Sequence, residues 1–270
     1  IKPELPEVET TVRAINKFEN KRLLKVIIHN RNLRWKVDKT IEKKIDNKKI
    51  KRISRRAKYI LIQFKDLYIM LHLGMSGNLR IQKNNNNYFK KHDHAEFVFK
   101  DEKIIFNDVR RFGSIHLTEN PYDHKLLKDL GIEPLSDQFD KDYLYRICSK
   151  SNLQIKKLLM DQRKIVGVGN IYASESLFLS NISPERICNR LSIKDCSNLS
   201  NSIKAVLNEA IKMGGTTLKD FYSADGNQGY FKIKLNVYGR DGQPCNSCNN
   251  IITKKIIGQR SSFMCSKCQN

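Results

Sequence analysis

The sequence predicts an α+β protein in which an antiparallel β-sandwich with an attached helix comes first. A helical region follows, and a small β-hairpin module built around cysteines closes the chain. Three observations predict this fold class. Short β-rich runs fill the first part of the chain, helical apolar spacing replaces them from about Asp140, and two Cys-x2-Cys pairs stand near the carboxyl end.

The attached helix is predicted from apolar residues at helical spacing, which include Val8, Val12, Ile15 and Phe18. The β-rich runs after it are separated by turn residues at close intervals, as in a sandwich or barrel. They cover residues 22–29, 58–64, 67–73, 78–82, 95–99 and 103–106. Because consecutive short strands pair most readily with each other, we expect antiparallel sheets.

The helical region begins after a connection bracketed by Pro121 and Pro134. Its longest predicted helix carries an apolar stripe from Leu199 to Ile211 and is expected to end at Gly214 and Gly215. Glycine-rich residues 224–229 predict a mobile loop. We therefore divide the chain into domains 1–120, 121–235 and 236–270.

Charge indicates the kind of partner. The 270 residues include 50 Lys and Arg against 28 Asp and Glu, a formal net charge of +22. Such an excess is usually offset by a polyanion, so nucleic acid is the leading partner, although a merely lysine-biased protein has the same charge. No window is apolar enough for a membrane span, and early acidic residues argue against a secretory signal, so we expect an intracellular protein.

Four of the seven cysteines have the spacing of a metal site. Cys245 and Cys248 form one Cys-x2-Cys pair, and Cys265 and Cys268 form the second, sixteen residues later. This spacing is typical of a tetrathiolate zinc site, with an iron–sulfur cluster or two disulfides as the alternatives. Zinc is favoured because so short a module has almost no core and needs a structural metal to fold.

Several motifs in order along the whole chain resemble the bacterial formamidopyrimidine-DNA glycosylase family. The opening Pro-Glu-Leu-Pro-Glu-Val-Glu of residues 3–9 is the first of them. The others are Arg-Arg-Ala-Lys-Tyr at 55–59, His-Leu-Gly-Met-Ser-Gly at 72–77, Lys-His-Asp-His at 91–94, Arg-Arg-Phe-Gly at 110–113, Gly-Val-Gly-Asn-Ile-Tyr-Ala-Ser-Glu at 167–175, Gly-Thr-Thr-Leu-Lys-Asp-Phe at 215–221 and the cysteine module. The resemblance implies a β-sandwich, a helix-two-turns-helix domain and a β-hairpin zinc finger holding one Zn²⁺.

The resemblance also implies a reaction. In this family an N-terminal proline amine, here Pro3, attacks C1′ of the damaged nucleotide, expels the base and leaves a Schiff base. An α-amino group has a pKa of about 8, so a useful fraction is nucleophilic at neutral pH. Glu4 matches the family's acid, although it is equally placed to cap a helix. Lys58 matches the proton donor in β-elimination or a phosphate contact, and Arg260 matches the position credited with δ-elimination.

The printed sequence departs from this pattern at its first two residues. Ile1 and Lys2 precede Pro3, so the Pro3 nitrogen as written is an amide without a nucleophilic lone pair. We expect the working chain to begin at Pro3, with Ile1-Lys2 reflecting a misassigned start or a processing remnant.

Further residues match the family's contacts with duplex DNA. Three match its gap-filling residues, which occupy the space left by an everted nucleotide: Met75, Arg110 and Phe112. Lys219 and residues 224–231 match the segment that closes over the everted base. The other expected contacts are His92, Arg110, Lys150, Lys156 and Asn170, with Asn170 as helix cap, phosphate ligand or both.

We therefore expect a monomeric bacterial DNA glycosylase and AP lyase of base excision repair, located in the cytoplasm with the nucleoid. Its expected partner is duplex DNA that contains oxidised bases, chiefly 8-oxoguanine and formamidopyrimidines, or abasic sites. One alternative is a sister enzyme of the endonuclease VIII group, which prefers oxidised pyrimidines. Leu5 and the loop before Phe231 favour the purine branch. A second alternative, if Ile1-Lys2 persist, is a catalytically inactive protein that binds damaged DNA.

Overall fold

The structure, a computed structural model, describes residues 3–217 and 234–270. Ile1, Lys2, Lys219 and the loop 224–231 lie outside the described residues. The chain divides into two compact units. Of the described residues, the first unit holds 3–128 and 211–217, and the second holds 129–210 and 234–270.

The first unit opens with helix α1, Leu5–Ile15, which a 3₁₀ turn, Asn16–Phe18, extends. Helix α2, Ile41–Ile45, is a short helix between strands. The strands are β1 Arg22–Leu23, β2 Lys25–Ile28, β3 Lys48–Lys49, β4 Arg52–Arg56, β5 Tyr59–Gln63, β6 Tyr68–His72, β7 Gly77–Lys83, β8 Asp93–Val98, β9 Glu102–Asp108 and β10 Ser114–Thr118.

These strands form the predicted sandwich. One antiparallel sheet has the order β10-β6-β5-β4, the other has the order β2-β8-β9-β7, and β1 pairs with β3. A single core packs residues of both sheets against α1, among them Val12, Ile62, Phe97 and Phe106. The longer strands place alternate residues in this core, for example Ile60 and Ile62 of β5, which is why apolar alternation found most of the strands.

The sequence prediction missed β3, β4 and β10, and it merged β1 with β2. Cations occupy most positions of 48–56, so only Ile50 and Ile53 carry the apolar signal there, and both are buried. Strand β10 is short, and only its neighbour β6 shows that it belongs to a sheet. These segments are therefore strands because they pair with other strands of the sheets, and the local sequence pattern alone does not show it.

The second unit is helical, as predicted. Its helices are α3 Lys141–Ser149, α4 Ile155–Leu159, α5 Asn170–Leu179 and the greater part of α6, Ile193–Thr217, whose residues from 211 onward belong to the first unit. The core includes Phe139, Tyr172 and Leu199, and it also buries Cys148, Cys188 and Cys196. The expected end of α6 at Gly214 and Gly215 was wrong, because the helix continues to Thr217. A glycine costs a helix only about 1 kcal/mol, which a long apolar stripe can offset.

A two-stranded hairpin completes this unit, with β11 at Thr253–Ile257 and β12 at Arg260–Met264. Helix α5 packs against β12, so the hairpin lies on the helical core. Among the described residues, none of the helices is both long and apolar enough to span a bilayer.

Candidate functional site

The residues at the amino end lie directly before α1. Pro3 is buried, and Glu4 is the N-cap of the helix with 4% of its surface exposed. The Glu4 side chain accepts from the backbone N–H of Glu7, and Glu7 Oε2 accepts from the Glu4 N–H at 2.8 Å, which forms a capping box. The capping role considered for Glu4 is therefore present, and it holds the carboxylate beside Pro3.

Lys58 lies on the turn between β4 and β5. The turn has two residues, and Ala57 takes a φ of 52°, as tight hairpins require at their first position. Arg55 stabilises this turn by donating from Nη1 to the Ala57 carbonyl at 2.8 Å, and its Nε donates to Glu9 of α1 at 2.9 Å. One guanidinium thus ties the helix that follows Pro3 to the turn that carries Lys58.

The ring of Tyr59, next to Lys58, lies 4.7 Å from the ring of His72, centroid to centroid. Burial raises the pKa of Tyr59, and the positive charge of Arg34 only partly opposes this effect. The phenol is therefore neutral at physiological pH, so Tyr59 is a neutral polar side chain next to the turn.

The three predicted gap-filling residues come together around one cavity of about 620 Å³. Met75 and Phe112 are 37% and 42% exposed, unusual values for large apolar side chains, and the Arg110 guanidinium lies 4.9 Å from the Phe112 ring centroid. Gly74 permits this arrangement. It has a φ of +67°, and a Cβ there would lie 2.4 Å from the Phe112 carbonyl carbon.

Asp108, which sequence reasoning missed, fixes both loops that carry these residues. It is fully buried; Oδ1 accepts from Ser76 Oγ at 2.6 Å, and Oδ2 accepts from the Gly113 N–H at 2.7 Å. Ser76 Oγ in turn accepts from the Arg110 N–H at 3.1 Å, and His94 Nε2 donates to the Asp108 carbonyl. The only signal in the sequence is an acidic residue at the end of a strand, just before the Arg-Arg-Phe-Gly motif.

His92 is half-buried at the start of β8, where a buried ion pair fixes its neighbour. The Asp93 carboxylate accepts hydrogen bonds from both terminal nitrogens of Arg80, at 2.6 and 2.5 Å, and from the Lys90 N–H at 2.8 Å. Burial raises the pKa of Asp93, but the hydrogen bonds from Arg80, Lys90 and Asn107 outweigh it, so the pKa is lowered overall. The carboxylate stays charged, and the loop before His92 stays ordered.

In the second unit, α4 and α5 are joined through Gly167, which has a φ of 79°. Asn170, the first residue of α5, donates from Nδ2 to the Ser261 carbonyl at 2.9 Å, while its buried Oδ1 has no partner among the described residues. Lys156 is buried and donates to the Ser261 carbonyl at 3.0 Å and to Ser262 Oγ at 2.5 Å. Its ammonium therefore supports strand β12, and a phosphate contact for it stays a prediction.

The remaining predicted cations are exposed. Lys150 is the C-cap of α3 and lines a cavity of about 340 Å³ together with Arg146 and Lys164. Arg260 is the first residue of β12, after a turn in which Gly258 and Gln259 have φ of 57° and 61°. Positive φ at both positions is typical of a type I′ hairpin, which holds Arg260 at the tip.

The four cysteines of the module converge on one point. All four sulfurs lie within 4.8 Å of one another, with Cys245 and Cys268 at 3.9 Å and Cys248 and Cys265 at 3.5 Å. A tetrahedral zinc ion with Zn–S bonds of about 2.3 Å sets its sulfurs about 3.8 Å apart, so the group fits. The separations are far longer than a disulfide bond of about 2.05 Å.

Glu175, another residue that sequence reasoning did not single out, anchors the chain that enters this module. Its carboxylate accepts four hydrogen bonds: the backbone N–H groups of Asn236, Val237 and Tyr238 and the Asn236 side-chain amide, at 2.8 to 3.1 Å. Three successive backbone donors on one buried carboxylate fix residues 236–238 against α5.

Comparison with known proteins gives the same picture. Family models match the formamidopyrimidine-DNA glycosylase N-terminal domain at residues 2–115, its H2TH domain at 130–222, and the zinc finger found in FPG and IleRS at 242–270. Two solved complexes of the Lactococcus lactis protein with DNA are also similar. One holds DNA with an abasic site (TM-score 0.87) and the other holds N7-benzyl-Fapy-dG DNA (TM-score 0.88), each at 33% identity over 99% of both chains.

Curated relatives extend over the same length. The formamidopyrimidine-DNA glycosylase of Hydrogenovibrio crunogenus is 46% identical over 99% of this chain and 96% of that relative. The one from Escherichia coli strain 55989 is 45% identical over 99% of both chains. Identity at this level along the whole sequence, together with the three family models and the paired cysteines, shows that the chain belongs to the formamidopyrimidine-DNA glycosylase family.

Proposed function

We propose that this protein is a DNA glycosylase and AP lyase that removes oxidised purines from duplex DNA in base excision repair. The observation that carries the proposal is the cavity at which Met75, Arg110 and Phe112 meet, because exposed wedge residues beside a guanidinium suit an opened duplex. The similar Lactococcus lactis complexes contain DNA with an abasic site or a formamidopyrimidine lesion, which supports this substrate class.

In the proposed first step the Pro3 amine donates its lone pair to C1′ of the everted nucleotide. The bond from C1′ to the base breaks, its electron pair leaves with the base, and a proton neutralises the leaving group. The C1′–O4′ bond then breaks as O4′ takes up a proton, and because the Pro3 nitrogen is secondary, the C=N bond formed is a cationic iminium that draws electrons from C2′. This step requires a free nitrogen at Pro3, so the proposed reaction belongs to a chain that begins at Pro3.

In the second step a proton leaves C2′, and the electron pair forms a double bond as the 3′ phosphate departs. Loss of the 5′ phosphate by δ-elimination then detaches the sugar from the DNA, and hydrolysis of the iminium by water releases it from Pro3. We assign Glu4 to sugar ring opening and proton transfer, Lys58 to β-elimination and Arg260 to δ-elimination. The buried position of Glu4 beside Pro3 and the fixed turn at Lys58 support the first two assignments.

Contacts with the duplex are assigned by the same motifs. We place His92, Arg110, Lys150 and Asn170 on phosphates or on the orphaned base, and Lys219 on the lesion-side segment. Zn²⁺ bound by the four cysteines stabilises the hairpin that carries Arg260. We further propose three functional segments, 1–120, 121–235 and 236–270, in a monomer that works on the nucleoid in the bacterial cytoplasm.

Relative excision of 8-oxoguanine and thymine glycol from matched duplexes tests the proposed specificity. Faster release of 8-oxoguanine supports the purine branch, and faster release of thymine glycol supports the endonuclease VIII alternative. Binding of both duplexes without release of either base, by a chain that begins at Pro3, contradicts the proposed activity and leaves a protein that only binds damaged DNA.

A further inference from the structure

A dense group of cations lies in the first unit, in segment 39–52, which contains none of the residues assigned above. We name it the basic cluster, and it consists of Lys39, Lys43, Lys44, Lys48, Lys49, Lys51 and Arg52. The segment 39–52 that holds it contains only two acidic residues. Glu42 is bound by Arg31, and Asp46 Oδ1 accepts from the Val26 N–H at 2.9 Å. Both carboxylates are therefore already engaged outside the cluster.

The fold turns these cations outward. Ile41, Ile45 and Ile50 are fully buried in the sandwich core, which leaves the intervening side chains on the surface. All the cluster residues are exposed except Lys48, which is half-buried. Within the described residues, none of the seven side chains forms an ion pair or a hydrogen bond. Their charge is therefore opposed only at longer range, for example by the attraction between Lys44 and Asp38.

Pairing of β1 with β3 adds direct repulsion. Lys49 lies opposite Arg22, and like charges in opposed positions of an antiparallel pair destabilise it. Lys43, Lys44 and Lys48 also line one recess of about 530 Å³, where these three cations face the two carboxylates of Asp66 and Glu119. Concentrating like charges on a face that only contacts solvent lowers the stability of the folded chain, whereas a bound polyanion relieves the repulsion.

The strand register separates the basic cluster from the lesion site. Arg56, Tyr59, His72 and Ser114 align across one end of the β10-β6-β5-β4 sheet, next to Lys58 and the gap-filling loops. Arg52 aligns with the opposite end. Four residues along a strand span about 13 Å, so a phosphate on the cluster is not one held at the lesion.

We propose that the basic cluster is a second nucleic-acid surface, which binds phosphates of a duplex segment other than the one held at the lesion site. Lysine suits this role because a flexible point charge binds phosphates without reading sequence. Segment 39–52 exposes no large apolar side chain, so it lacks the anchor that a protein partner usually needs. Contact with a second segment lets the enzyme pass between neighbouring stretches of DNA.

The test first fills the lesion site of the zinc-loaded chain with a short duplex that carries a stable abasic analogue. Binding of a labelled, undamaged second duplex is then followed at rising salt. Two triple variants, each three charges lower, are compared with the parent. The cluster variant is Lys43→Gln/Lys44→Gln/Lys49→Gln, and the control changes exposed lysines elsewhere, Lys100→Gln/Lys141→Gln/Lys194→Gln.

We expect the parent and the control to bind the second duplex and the cluster variant to lose most of this binding. Three lost phosphate contacts reduce the slope of log affinity against log salt by up to about 2.7. Affinity for the abasic analogue stays within twofold in all three proteins. Equal losses in both variants, no second duplex on the parent, or an equal loss of abasic-analogue affinity in the cluster variant each overturns the proposal. Displacement of the second duplex by polyglutamate more readily than by unlabelled DNA assigns the surface to an acidic protein instead.

Discussion

Replacement of Asp108 by asparagine tests whether one buried carboxylate holds the gap-filling loops. Asparagine keeps an oxygen for the Gly113 N–H, but its NH₂ group must face Ser76, whose hydroxyl then has to accept instead of donate. Both hydrogen bonds then join neutral groups and no longer involve a charged carboxylate. Since a bond to a charged group contributes about 1.5–3 kcal/mol and a neutral one about 1 kcal/mol, we expect the free energy of unfolding to fall by about 1–3 kcal/mol.

Asp108→Ala removes both acceptors and leaves the buried Gly113 N–H unsatisfied, so its expected cost is larger, about 3–5 kcal/mol. Asp101→Asn is the matched control, because Asp101 is exposed at the turn between β8 and β9 and its loss should cost under about 0.5 kcal/mol. Denaturant titration measures these values.

The functional measurement uses 2-aminopurine placed opposite a stable abasic analogue, since its fluorescence reports insertion of the wedge residues. We expect Asp108→Asn to slow insertion at least tenfold and the Asp101→Asn control to match the parent. Normal insertion by a clearly destabilised Asp108→Asn protein would show that the two loops do not depend on this carboxylate, and the reasoning would be refuted.

Three further predictions concern other parts of the chain. Burial, followed by the charge of His124, lowers the pKa of His116 to about 4, so the unfolded chain binds more protons between pH 6.5 and 4. The contribution of neutral His116 to the free energy of unfolding is therefore fully present above pH 6.5 and is lost as the pH falls towards 4. Denaturation of His116→Phe across this range should show a smaller loss of stability than the parent. An equal loss would contradict the assignment. Cys248→Ser should release zinc and weaken DNA binding. Cys196→Ser, which replaces a buried thiol outside the module, should retain the metal. Equal amounts of bound zinc in the two variants would count against the tetrathiolate site. Glu175→Gln should lower the free energy of unfolding by about 2 kcal/mol in denaturant titration, because an amide cannot accept hydrogen bonds from all the donors of residues 236–238. The control Glu209→Gln changes an exposed residue and should lower it by almost nothing. Similar losses in the two variants would show that the Glu175 anchor is weak.

The fold class and the zinc ligands were predictable because they depend on local pattern. Alternation revealed most strands, helical spacing revealed the second unit, and the two Cys-x2-Cys pairs converge as their spacing predicts. The gap-filling role of Met75, Arg110 and Phe112 is a prediction from the family resemblance, and the structure shows that the three residues line one cavity. Their loops depend on Gly74, whose φ and close contact with Phe112 admit only glycine.

The positioning residues were not predictable, because they act over long distances in the chain. Glu175 binds backbone groups about sixty residues away, and Asp108 joins loops that no local pattern connects. The sequence also gave no sign that Lys156 is buried, since one lysine among fifty cations looks solvated until strand β12 is placed against it. The strands of 48–56 were hidden in the same way by their many lysines and arginines.

The assignment of the nucleophile is tested most directly by borohydride trapping on an 8-oxoguanine duplex, followed by peptide mapping of the cross-link. Two chains are compared, one that begins at Pro3 and one that retains Ile1 and Lys2. The account predicts a stable adduct on the Pro3 nitrogen of the first chain and none on the second. An adduct on Lys58, or equal trapping by both chains, would contradict it.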